Sequence, residues 1–253
     1  MSSTVQIDGV INFRDVGGVP VGSDHHIAYG RLFRSDTLQF LTPEDITTLV
    51  ESIGLKTDVD LRLSFEIEVE GRGLLGETDV VFAHLPLQVP SAQTAGSATP
   101  ILQGHDPVVS HYVNYLNHSP KSVSGLIQLL AQPQSLPALI HCAAGKDRTG
   151  IAVAMTLAAV GCSTEDIAAE YALGAHLIPA VMDQLRTMES YGESLSKLPP
   201  EANLTPPEYI ERFFTEIRNT YGGPMDYLRQ HGVSDADFEG LSQALTVPNK
   251  PTE

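Results

Sequence analysis

Residues 141–150 read HCAAGKDRTG: a histidine, a cysteine, three small residues, then Lys146, Asp147 and Arg148 followed by Thr149 and Gly150. The chain has only 2 cysteines, Cys142 and Cys162. Ala143, Ala144 and Gly145 let the backbone curl tightly, the glycine through its access to positive φ. The apolar run LPALIHC (136–142) reads as a buried strand. The run RTGIAVAMTLAAVG (148–161) is apolar nearly all round and reads as a central buried helix. A tight turn from strand end to helix start turns successive N–H groups into an anion-binding nest, and the helix N-terminus adds partial positive charge. That field favours thiolate at Cys142, since cysteines so placed titrate at roughly 3.5–7.5 instead of about 8.5. Arg148 can fork onto two phosphate oxygens, and the Thr149 hydroxyl can donate to sulfur. The chemistry implied is attack by Cys142 on an anion that Arg148 holds. Cys162 ends an apolar helix and reads as packing.

Other elements must hold this turn in place. Thr42 and Asp45 form a capping-box pattern around Pro43, and Ile46, Leu49, Val50 and Ile53 give the following helix one apolar side, ending at Gly54. KTDVDLR (56–62) and DVVFAHLPL (79–87) read as strands, and the small polar residues of 88–104 as a surface loop. A helix is predicted from about Pro107 to Ala131, with Val109, Tyr112, Val113 and Leu116 on one face. Further starts fall at Ser163 with Asp166, at Thr205-Pro206-Pro207-Glu208, and at Ser234 with Asp237. Strands alternate with helices before residue 161 and helices alone follow it. The expected class is therefore α/β, a central mainly parallel sheet flanked by helices with a helical C-terminal part, in a single domain over 1–253.

Composition sets bounds. The 253 residues, 42% hydrophobic, suit an α/β domain with an ample core. The 31 acidic against 15 basic residues give a formal charge of −16, which repels nucleic acid and anionic membranes at long range. No run approaches 18 apolar residues, so no stable membrane insertion is expected. The start shows no signal peptide and two cysteines make no disulfide framework, which points to a cytoplasmic address; export by an unmarked route stays open. No Cys/His spacing suits structural zinc, so neither metal nor cofactor is expected. GRGLLG (71–76) fits G-x-G-x-x-G, but a strand follows where a helix is required. His25-His26 lies in a polar, turn-like stretch and reads as surface. Oligomeric state is not readable.

The Cys-x5-Arg stretch resembles the phosphate-binding loop of cysteine-dependent phosphatases of the protein-tyrosine phosphatase superfamily. Its Gly-Lys-Asp-Arg version resembles the bacterial tyrosine phosphatase family that includes mycobacterial secreted and lipid-active phosphatases. INFRDVGG (11–18), GRLFRSD (30–36), VDLR (59–62) and YLRQHGVSDADFEGL (227–241) fit the same family. The resemblance implies hydrolysis of phosphomonoesters through a cysteinyl-phosphate, with Cys142 as nucleophile, Arg148 as clamp, and the N–H groups of Ala143 to Arg148, Gly145 and Lys146 included, as the cradle. It implies a phosphorylated protein or a phosphoinositide as substrate. The general acid is open. HLPLQVPSAQTAG, after the second strand, holds no acid, so Asp147 inside the loop is the first choice as in the family, against a structural role there. Asp60 and Asp106 are the other candidates. Lys146 reads equally as a contact for a second phosphate or as a solvated loop lysine. Arg14 lines the pocket or forms an ion pair with Asp15. His141 is expected to fix the loop from beneath. Residues 174–204, with Ile178, Val181, Met182, Leu185 and Met188 at helical spacing, read as a helix packed on the core, or as the helical lid that relatives form. Two other readings stand beside the phosphatase: a rhodanese-like sulfurtransferase, which also uses a loop cysteine, and a catalytically silent phospho-binding module.

Overall fold

The computed structural model describes residues 6–89, 106–195 and 204–249. The chain enters through three short strands, β1 (Arg14–Asp15), β2 (Pro20–Val21) and β3 (His25–Ile27), then β4 (Leu32–Ser35). α1 (Pro43–Thr47) begins at the expected capping box, the Thr42 hydroxyl accepting from the Asp45 N–H, and runs on as a π-helical turn over Thr48–Ser52. β5 (Thr57–Asp60), α2 (Ser64–Glu70) and β6 (Val81–His84) follow. Then come α3 (Pro107–His118), α4 (Pro120–Leu130), β7 (Ala138–His141) and α5 (Asp147–Ala159). The remainder is α6 (Thr164–Ala172), α7 (Ile178–Leu185), α8 (Gly192–Leu195), α9 (Glu208–Tyr221), α10 (Pro224–Gln230), α11 (Asp235–Leu245) and a last strand, β8 (Thr246–Pro248).

The main sheet runs β1-β4-β7-β5-β6, parallel except for β1, and the class is α/β as expected. β4, β5 and β7 are buried at every residue, and the middle strand β7 accordingly reads as an apolar run over Ala138, Leu139 and Ile140. Edge strand β6 exposes Val81. Leu32, Val59, Ala138 and Ile140 face one core, with α3, α4, α5, α6, α9, α10 and α11. Phe33 and Leu139 face the other, with Leu38, Leu41, Leu49, Leu55 and Leu75. In register, Ser35 lies opposite His141, and Asp60 opposite both His141 and His84. The carboxyl ends of four strands thus meet at one edge, where ligands bind in open parallel sheets.

Three expectations change. The helix over 107–131 is two helices, because Pro120 lacks an N–H and restricts the residue before it; Ser119 sits at φ −130°, ψ 42° between them. Helices are not alone after residue 161: β8 pairs with β3, and β3 with β2, in a small antiparallel sheet. Thr205 does not cap α9, whose N-cap is Pro207. Residues 90–104 of the expected loop and 196–203 of the segment 174–204 lie outside the described residues.

Candidate active site

β7 delivers the loop. It ends at His141, and Cys142 follows, 2% exposed, before α5 opens at Asp147. Gly145 turns the chain at φ +64°, and a Cβ there would stand 2.4 Å from the Ser35 carbonyl oxygen, so glycine is required by conformation and by space. The loop carbonyls are held on one side. The Thr37 N–H donates to the Ala143 oxygen at 2.8 Å. The Asn12 side-chain amide donates to the Ala144 and Gly145 oxygens at 3.3 Å each, and Arg34 Nη2 to the Gly145 oxygen at 2.7 Å. Peptide planarity then turns the N–H groups of Ala144, Gly145 and Lys146 to the opposite side.

Arg148 is aimed by a residue that the sequence did not point out. Its Nη1 and Nη2 donate to the two carboxylate oxygens of Glu66 at 2.5 and 2.9 Å. Glu66, in the first turn of α2, also accepts from the Leu63 N–H at 2.6 Å. Burial pushes the Glu66 carboxyl up, but Arg148 outweighs it and holds the group below the usual carboxylate range. The fork therefore lies end-on to Glu66, which leaves the Nε edge of the guanidinium for an oxyanion.

Asp147 Oδ1 accepts from the Tyr112 hydroxyl at 2.5 Å and lies 3.2 Å from Lys146 Nζ. Tyr112 in turn meets the Tyr171 hydroxyl at 2.6 Å. Burial raises the Asp147 carboxyl; Lys146, the Tyr112 hydrogen bond and His111 outweigh it, so the group is held ionised below its ordinary value. Lys146 is buried, 3% exposed, so the solvated loop lysine is ruled out. Tyr112 occupied an apolar helix face in the sequence, which hid its hydroxyl.

The other acids are engaged elsewhere. Asp60, fully buried, holds Arg62 through Nε at 3.0 Å and Nη2 at 2.6 Å; burial lifts its carboxyl, but His141 and Arg62 bring it down to about 2. Asp106 caps α3 through the Val108 N–H at 2.8 Å. His141 is buried at the end of β7, its Nε2 3.0 Å from Asp58 Oδ1. Burial lowers its pKa, yet Asp60 and Asp58 raise it above the ordinary value. The Thr149 hydroxyl is buried without a hydrogen-bond partner among the described residues, so the expected donation to sulfur is not formed. At Cys162, burial and then Asp166 push the thiol up to about 12.

Arg14 lies on the carbonyl side of the loop. Its Nε donates to Glu170 Oε1 at 2.9 Å and its Nη1 to Asn12 Oδ1 at 2.6 Å. The ion pair is therefore with Glu170 on α6, not Asp15; Asp15 instead accepts from the Gly17 and Gly30 N–H groups. Over the loop, Ile178, Val181, Met182 and Leu185 of α7 join Met188 and Tyr191 in one apolar cluster with Ala143 and Ala144.

The model of the "Tyrosine phosphatase family" matches residues 5–247. The chain belongs to that family, and it is a cysteine-type, protein-tyrosine-phosphatase-like hydrolase. It is 28% identical over 279 aligned positions to the "Triple specificity protein phosphatase PtpB" of Mycobacterium tuberculosis, covering 95% of this chain and 98% of that one. To a "Tyrosine-protein phosphatase" of Nostoc commune it is 26% identical over 217 positions, 84% of this chain and 73% of the relative. Among solved structures it resembles the Siw14 catalytic core, at 14% identity and a TM-score of 0.35, over 84% of this chain and 95% of that one. No helix of the described residues is long and apolar enough to cross a membrane.

Proposed function

We propose that the protein hydrolyses phosphomonoesters of phosphorylated proteins, phosphotyrosine first, with phosphoserine, phosphothreonine and phosphoinositides as the further substrates, through a cysteinyl-phosphate on Cys142. The observation that carries this is the loop itself: a buried cysteine, carbonyls tied to one side, N–H groups turned to the other, and Arg148 fixed end-on by Glu66. The Cys142 thiolate attacks phosphorus, the P–O bond to the leaving group breaks, and the leaving oxygen takes a proton. Water then attacks the phosphocysteine, the S–P bond breaks, and inorganic phosphate leaves with the thiolate restored. Arg148 and the N–H groups of Ala143, Ala144, Gly145 and Lys146 stabilise the equatorial oxygens in both steps.

Asp147 is the proton donor in this reading and the proton acceptor from water in the second step. Lys146, beside it, offers charge to a second phosphate, which fits an inositol lipid. The relative's printed name, triple specificity, supports the breadth of the substrate class. Ile178, Val181, Met182, Leu185, Met188 and Tyr191, which pack with Ala143 and Ala144, form in this reading a cover over the pocket.

The test is turnover of an aryl phosphate and a panel of phosphopeptides and inositol lipids, with Cys142→Ser as control. The variant is expected to bind phosphate esters with no turnover. Residual activity within about tenfold of the parent would remove Cys142 from the nucleophile's role, since loss of an essential nucleophile costs orders of magnitude more.

A further inference from the structure

Two arginines from separate stretches of chain converge on one buried carboxylate beneath the loop. Glu170 Oε1 accepts from Arg14 Nε at 2.9 Å, and Oε2 from Arg34 Nη1 at 2.6 Å. Arg34, 1% exposed, sends its other nitrogen, Nη2, to the Gly145 oxygen at 2.7 Å. Arg14 sends Nη1 to Asn12 Oδ1 at 2.6 Å. That contact settles which way the Asn12 amide points: oxygen to Arg14, nitrogen to the Ala144 and Gly145 oxygens.

We infer that Glu170 is a positioning residue for phosphate binding: through Arg34 directly, and through Arg14 and Asn12 in series, it holds the Ala144 and Gly145 carbonyls outward and so keeps the opposite N–H groups turned into the nest. The inference deepens the reading of the Cys142 loop as the reaction site and rests on it. A peptide plane has one carbonyl and one N–H on opposite edges, so a carbonyl released from these donors is free to rotate into the nest. A single inward carbonyl replaces a donor by a partial negative charge beside the phosphate and the Cys142 sulfur. Burial raises the Glu170 carboxyl, and Arg34 and Arg14 bring it below the ordinary range, so the charge that orders both guanidinium groups is present at neutral pH.

Space around the network points the same way. A Cβ on Gly174, two residues beyond α6, would stand 2.5 Å from Asn12 Oδ1 and 3.1 Å from Arg14 Nη1. Gly174 has φ −82°, which any residue adopts, so its small size is needed by the Asn12–Arg14 contact and not by the backbone.

The experiment uses the full chain and two variants, Glu170→Gln and Gly174→Ala. For each, three quantities are measured: competitive inhibition by inorganic phosphate, the pH midpoint of Cys142 alkylation by iodoacetamide, and the melting temperature. Both variants are expected to weaken phosphate inhibition by about tenfold or more, as loss of an oriented oxyanion donor does, and to move the alkylation midpoint to higher pH. A lower melting temperature with phosphate inhibition and midpoint unchanged would make Glu170 structural glue and overturn the proposal. Should Glu170→Gln fail to fold, Gly174→Ala, which keeps every charge, decides alone. In the parent protein, failure of phosphate to slow Cys142 alkylation would instead count against the reading of the loop as the phosphate site.

Discussion

Glu66→Gln separates the two partners of Arg148, the fixed carboxylate and the transient oxyanion. The substitution keeps the shape and one acceptor oxygen, but it places an NH2 group against a guanidinium N–H where a 2.5 or 2.9 Å hydrogen bond now stands. Removing one partner of a buried ion pair costs roughly 3–5 kcal/mol. The Arg148 side chain is 15% exposed and Glu66 3%, so the lower end applies, about 3 kcal/mol. For a domain of this size that corresponds to a fall in melting temperature of roughly 6–12 °C. The pH dependence follows from the direction of the Glu66 shift. Its folded pKa is depressed, so the pair's contribution is present above the unfolded value of about 4.3 and is lost as pH falls through the folded one. The melting-temperature gap between parent and variant should therefore stay level from about pH 5 to 8 and close below about pH 4. Orthovanadate should widen it at neutral pH, because it binds the Nε edge that Glu66 aims and so stabilises the parent more than the variant. Thermal melts across pH, with and without vanadate, make the measurement. An unchanged melting temperature at pH 7, or a gap that vanadate leaves unaltered, would refute the assignment of Arg148 to both partners.

Two further predictions follow from the site. Iodoacetamide at about pH 6 should modify Cys142 far faster than Cys162, whose thiol burial and Asp166 push up to about 12, as read by peptide mapping; equal labelling would mean that the loop does not activate its thiol. Asp147→Asn should slow alkyl phosphates much more than esters with good leaving groups and flatten the basic limb of the pH–rate profile, because Asp147 must be protonated to act and loses that proton as pH rises. If both substrate types fall together with stability, Asp147 is structural.

What could be read from the sequence was local in the chain. The Cys142–Arg148 loop announces itself because its requirements fall within a few consecutive residues: a strand end, small residues, a glycine at positive φ and a helix start. The capping boxes at Thr42 and Ser234 were legible for the same reason, as each is a pair three residues apart. The groups that aim the loop are contributed from far along the chain. Glu66 stands 82 residues before Arg148, and Glu170 stands 136 residues after Arg34 and 156 after Arg14. Nothing in SFEIEVE marks one glutamate as an ion-pair partner, and α6 shows a glutamate where its surface-charge pattern would place one anyway. Register supplies the missing information, since β4, β7, β5 and β6 end level at Ser35, His141, Asp60 and His84. That levelling brings the loops after β4, β5 and β7 to one edge, and with it turns Arg14 from an expected pocket residue into a support on the carbonyl side. The buried charges also resolve together: Glu66 with Arg148, Asp60 with Arg62, and Glu170 with Arg14 and Arg34 are each partnered, as buried ions must be. A chain of net charge −16 can therefore still gather positive charge at one loop, because three of its arginines, Arg14, Arg34 and Arg148, meet there and each is paired with a buried carboxylate.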